Sequence, residues 1–132
     1  MTIYDLMLND LVLYKGHVKK VVGIKRSYNL IDLAINDKDF FTCSVTDCEP
    51  IPLTEEILEM NGFEERYMYE DFNVFVFLNF AIYKRKENSS YPAKKFFSSV
   101  CCCEFEINYV HELQHALRLC GRNELADNFK VD

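Results

Sequence analysis

Tyr109-Val-His-Glu-Leu-Gln-His-Ala-Leu-Arg-Leu-Cys120, followed by Gly121, is the stretch on which the reading of this chain turns. At about 100° per residue, Val110, Leu113, Ala116, Leu117 and Cys120 fall within one arc, the pattern of an amphipathic helix. The helix is expected from about Asn108 to Cys120, and Gly121 stops it as a C-cap. His111, His115, Arg118 and Arg122 fall on the opposite side, so the spacing places both histidines towards solvent or a cleft. Beyond the helix, Asn123 to Phe129 is short enough to fold back, with Leu125, Ala126 and Phe129 over the core.

Upstream of this helix the periodicity changes from helical to alternating. Leu11 to Tyr14, Val18 to Ile24, Leu30 to Ile35 and Phe40 to Thr46 each read as a short strand. Lys15-Gly16 and Asn36 to Asp39 supply turn chemistry between them. Strands at this spacing suggest a small meander over residues 1–50, with an SH3-like barrel as its preferred form. Glu49-Pro-Ile-Pro52 then breaks the sheet, because proline has no amide hydrogen to donate. Thr54 is a helix N-cap and Glu55 and Glu56 place negative charge in the first turn. Ile57, Leu58 and Met60 form the buried side of that short helix, and Asn61-Gly62 ends it. Phe63 to Tyr69, Phe72 to Tyr83 and Lys95 to Ile107 are aromatic-rich and extended, with breaks at Glu70-Asp71 and Lys84 to Tyr91. The expected class is therefore α+β: a strand-rich first half (1–50), then a region (51–132) with a short middle helix, antiparallel strands and a closing helix.

Composition narrows the function. The 132 residues are 49% hydrophobic and 27% charged, a globular balance, with eleven Phe, eight Tyr and no Trp. Fifteen basic against twenty-one acidic residues give a net charge of −6, which argues against bulk nucleic-acid binding. Lys15, Lys19, Lys20, Lys25 and Arg26 form one local basic run, most simply a solvated hairpin face. Asp5 and Asp10 interrupt any leader-like pattern at Met1 to Asp10, and no apolar run reaches the ~20 residues that span a bilayer. A cytoplasmic protein with no membrane contact is expected. Reduced thiols follow from that, with Cys101, Cys102 and Cys103 read as small strand residues. Cys43 and Cys48 lack the second pair of a zinc knuckle, which leaves only a composite site with histidines.

His111-Glu112-Leu113-Gln114-His115 matches the string H-E-x-x-H. Two imidazoles one helical turn apart can hold one zinc ion, while the intervening glutamate acts as general base on bound water. Here that assigns His111 and His115 as metal ligands and Glu112 as catalytic base. Against it, a third protein ligand is needed, and Arg118 and Arg122 place two cations beside the dication. The extended metalloprotease form fails, because Arg118 and Gly121 stand where Gly and His belong. The competing reading has no cofactor and treats His111, His115, Arg118 and Arg122 as a binding or capping face. The helix dipole then favours the arginines, and strand carboxylates such as Glu104 and Glu106 pair with the histidines.

Three segments also carry a resemblance. They are Asp10-Leu-Val-Leu-Tyr-Lys-Gly16, the run from Glu49 through Pro-Leu-Thr-Glu-Glu-Ile-Leu to Asn-Gly-Phe63, and Tyr109-Val-His-Glu-Leu-Gln-His115. Together they resemble a family of small uncharacterised proteins encoded by bacteriophages and mobile elements of gut Bacteroides-type bacteria. The resemblance implies an origin in the cytoplasm of a bacterial host but no established activity. The expected function is a non-catalytic protein-interaction module that binds a host or phage protein, with the zinc hydrolase as the alternative.

Overall fold

Alternating runs in the first half pair as a meander in the computed structural model, which describes residues 1–66, 72–85, 96–100 and 103–132. Its strands are β1 (Leu11–Tyr14), β2 (His17–Lys25), β3 (Leu30–Ala34), β4 (Phe40–Ser44) and β5 (Cys48–Glu49). They lie antiparallel in the order β4-β3-β2-β1-β5. Tyr14 faces His17 across a two-residue turn in which Lys15 and Gly16 both take positive φ (49° and 80°). That is the turn whose twist matches paired strands. β2 slips register between Val21 and Gly23. A side chain at Gly23 would run into the Asp32 carboxylate on β3, so glycine alone permits this close approach.

The SH3-like expectation needs a correction here, because no closed barrel is found. β4 and β5 remain the two edges of an open sheet, with no ladder between them among the described residues. β5 is only two residues long, and Pro50 and Pro52, at alternate positions after it, have no amide hydrogen with which to extend a ladder. The edges meet through side chains instead: the Cys43 and Cys48 sulfurs lie 3.8 Å apart.

α1 (Glu55–Met60) starts as expected, with the Thr54 hydroxyl accepting the Ile57 amide at 3.2 Å, and Gly62 ends it at φ 89°. Ile57 and Leu58 are buried, but Met60 is 45% exposed. The second sheet is a meander of β6 (Glu64–Arg66), β7 (Phe72–Phe77), β8 (Phe80–Arg85), β9 (Phe96–Val100) and β10 (Cys103–Ile107). It too is antiparallel, in the order β10-β9-β8-β7-β6. Two runs expected as single strands are hairpins. Phe72 to Tyr83 turns at Leu78-Asn79, and Lys95 to Ile107 reverses between β9 and β10. Lys84 and Arg85 continue β8, so the expected break begins later. The Glu70-Asp71 break, the rest of the expected Lys84 to Tyr91 break, and Cys101 and Cys102 lie outside the described residues.

α2 (Val110–Leu119) and α3 (Asn123–Asp127) complete the chain, and α2 packs on β1, β10 and α3. The larger core joins α1, the second sheet and α2, and Leu11 of β1 reaches into it. A smaller core (Leu6, Val12, Val21, Ile31 and Leu33 among it) fills the first sheet. No helix among the described residues is long and apolar enough to cross a membrane.

Candidate functional site

α2 begins where Asn108 and Tyr109 would leave two amides unpaired. Both donate to Glu112 Oε1, each at 3.0 Å, so the third helical residue reaches back as the carboxylate half of a capping box. The Val110 amide donates to the Ile51 carbonyl at 2.9 Å and the Leu53 amide to the Asn108 carbonyl at 3.0 Å, which pins the helix start to the proline segment. Val110, Leu113, Ala116 and Leu117 are buried on the second sheet, as the periodicity requires.

The opposite side differs from expectation. His111 is only 5% exposed, Gln114 is fully buried, and Arg118 and His115 retain 13% and 26% of their side-chain surface. The partner that covers them is Asp10, completely buried at the entry to β1. Its Oδ2 accepts the Met7 amide at 2.7 Å and His115 Nε2 at 2.6 Å, and its Oδ1 accepts Arg118 Nη1 at 2.7 Å. A carboxylate only accepts, so His115 carries a proton on Nε2. Arg118 also reaches Asp127 of α3 at 3.4 Å. Beside this cluster Gln114 accepts the Leu11 amide and donates to the Asn9 and Ala126 carbonyls, all three at 2.9 Å.

The carboxylate that meets His115 is Asp10, which the sequence reading did not name; the Glu104 side chain, one of the expected partners, lies outside the described residues. The reason is physical: an angular projection sorts residues by type but does not show which segment docks on each face. Asp10 and Gln114, the residues that organise this face, were missed. The available signal was Arg118, which has no acid three or four residues away along the helix and so asks for a carboxylate from elsewhere.

The zinc string meets a different geometry. Glu112 spends Oε1 on the helix cap, and His115 spends Nε2 on Asp10. Among the described residues no group of three or more histidine, cysteine, aspartate or glutamate side chains is placed to hold a metal ion. The His111 and His115 rings lie 5.8 Å apart at 73°, with Tyr109 stacked on His111 at 5.9 Å and 8°. Burial lowers the pKa of His111 below its ordinary value and keeps the ring neutral. Cys43 and Cys48 sit far from this arrangement in kind: both are buried, and burial pushes the Cys48 thiol up to about 12, away from thiolate chemistry.

The remaining named residues scatter. Arg122 is half-buried beside Met60, Phe77, Leu78 and Leu125, and no carboxylate pairs with it among the described residues. Within the basic run, Lys15 lies over the Tyr14 ring at 5.3 Å, Lys20 donates to the Asp127 carbonyl at 2.9 Å, and Lys25 pairs with Asp32 at 3.5 Å. Lys19 is half-buried and Arg26 exposed, so the five cations do not share one open face. Compared with known protein families, curated proteins and solved structures, the chain matches none.

Proposed function

We propose that this chain is a non-catalytic protein-interaction module of phage or mobile-element origin that binds a host or phage protein in the bacterial cytoplasm. The observation that carries the reading is a groove of about 580 Å³ between the end of α1, the β7–β8 turn and the α2–α3 corner. Met60 and Leu78 offer it exposed apolar surface, backed by the partly buried Phe77 and Leu125. Leu78 takes φ 51° at the first position of a two-residue hairpin turn, where glycine is the usual occupant. A leucine there costs about 1 kcal/mol of backbone energy and leaves a large side chain 65% in water. Neither helps the fold, and such strain is characteristic of binding sites. Arg122, unpaired at the wall, adds a donor for a partner's carboxylate.

The order β4-β3-β2-β1-β5, with one helical turn (Val45–Asp47) before the returning strand, supports reading the first half as an unclosed SH3-like small barrel. The hydrolase has less in its favour, since its base and one ligand are already engaged.

Affinity capture with the full chain tests the proposal. Leu78→Gly combined with Leu125→Ser removes the apolar wall while relieving the turn. One discrete partner is expected to bind the parent chain stoichiometrically and to bind the variant about tenfold more weakly, the loss typical of an interface anchor. Equal binding to both chains, or turnover of a substrate by the purified protein, contradicts it.

A further inference from the structure

A second cavity, of about 420 Å³, opens at the N-terminal end of α2, and Tyr4, Asp5, Tyr109, His111, Glu112 and His115 are among its walls. His111 is the unusual member. Although 5% exposed, it has no hydrogen-bond partner at Nδ1, and no described residue bonds its Nε2. Nδ1 is sealed from solvent, so Nε2 is the nitrogen left to meet the cavity. Buried polar groups are normally satisfied, and of the two ring nitrogens Nε2 is the one that a partner in the cavity can satisfy.

The surrounding groups define that partner. The Thr2 amide donates to Asp5, and this hydrogen bond holds the Asp5 carboxyl below its ordinary range, so it is ionised. Glu112 commits only one oxygen to the helix cap. His115, also on the wall, points Nε2 at Asp10 behind it, and the Met1 amino charge bears on Asp5 from the same wall. The neutral His111 ring keeps one nitrogen unprotonated; in the tautomer with the proton on Nδ1 the Nε2 lone pair is open to a donor, and the stacked Tyr109 adds an aromatic face. The wall therefore combines two carboxylates, an acceptor nitrogen and an aromatic surface. Three spaced acceptors beside a flat ring match a planar cation with several N–H groups better than a point charge.

We infer that this cavity binds a guanidinium group, with Asp5 and Glu112 neutralising its charge and His111 Nε2 accepting one N–H. The group comes either from a free small molecule or from an arginine side chain of a partner. The inference does not rest on the groove at α1 and stands if that groove binds nothing.

Imidazole NMR of the full chain provides the test, with methylguanidinium, agmatine, N-acetylarginine amide, butylammonium and acetate as probes. A saturable shift of the His111 ring nitrogens by a guanidinium probe is expected, with His17 on the exposed β1–β2 hairpin unmoved. Asp5→Asn should weaken it about tenfold, and His111→Phe, followed at the His115 ring on the same wall, should do the same. If His111→Phe fails to fold, the exposed Asp5→Asn carries the comparison alone. Response to N-acetylarginine amide alone assigns the source to a protein partner, and response to agmatine alone assigns it to a small molecule; both support the site. No saturable shift, equal response to butylammonium or acetate, or an unchanged response in folded Asp5→Asn overturns it.

Discussion

α2 lies between two seams that are built differently. Towards the second sheet it presents Val110, Leu113, Ala116 and Leu117, a dry surface that belongs to the larger core. Towards the first sheet it presents Gln114, His115 and Arg118, each bonded to one short segment, Asn9 to Leu11. Apolar burial is non-directional and tolerates small shifts, whereas a carboxylate held by three donors accepts one placement only. The dry seam therefore supplies most of the stability of the helix, and the polar seam sets where the first sheet docks on it. The same polar face that reads as a metal site in the sequence is used inside the fold as a joint.

The two seams can be broken separately. Asp10→Ala should have the largest effect, about 4 kcal/mol of lost stability in urea denaturation, because it strands Arg118 and His115 half-buried without a counter-charge. Leu117→Ala, on the dry seam, is expected to cost about 3 kcal/mol through lost burial and the cavity left behind. Gln114→Leu should cost about 2 kcal/mol, since it leaves the Leu11 amide and two carbonyls unpaired. If that variant is instead more stable, the polar seam does not set docking and the contrast fails. Glu112→Ala removes the helix cap, at about 1 kcal/mol. The smallest effect is a pH dependence. His111 titrates below its ordinary 6.5 in the folded chain, so the unfolded chain binds the extra proton first. Stability should fall as pH drops below about 6.5, and His111→Phe should flatten that slope in thermal unfolding at several pH values.

Elements governed by near neighbours were legible in the sequence. Thr54 caps α1, Lys15-Gly16 makes the hairpin turn, and Gly62 and Gly121 take the positive φ that ends their helices. Each depends on residues within one turn of chain. The β7–β8 hairpin was not legible, because its turn places Leu78 in a left-handed conformation that leucine rarely adopts, and the aromatic run reads straight through it. The open edge between β4 and β5 depends on how far a two-residue strand reaches after the helical turn. The polar seam was legible only as an unanswered charge: Arg118 has no acid at helical spacing, but the Asp10 that answers it and His115 stands 108 and 105 positions away. Local rules carry no information across that distance. His111, expected beside solvent, is buried instead, and its Nδ1 has no hydrogen-bond partner among the described residues.

A double-mutant cycle between Asp10 and Arg118, read by urea denaturation of Asp10→Asn, Arg118→Met and the double variant, tests the polar seam most directly. For a buried contact at 2.7 Å the two losses should overlap, with a coupling of about 2 kcal/mol. A coupling within about 0.3 kcal/mol of zero, as for independent sites, would contradict the account.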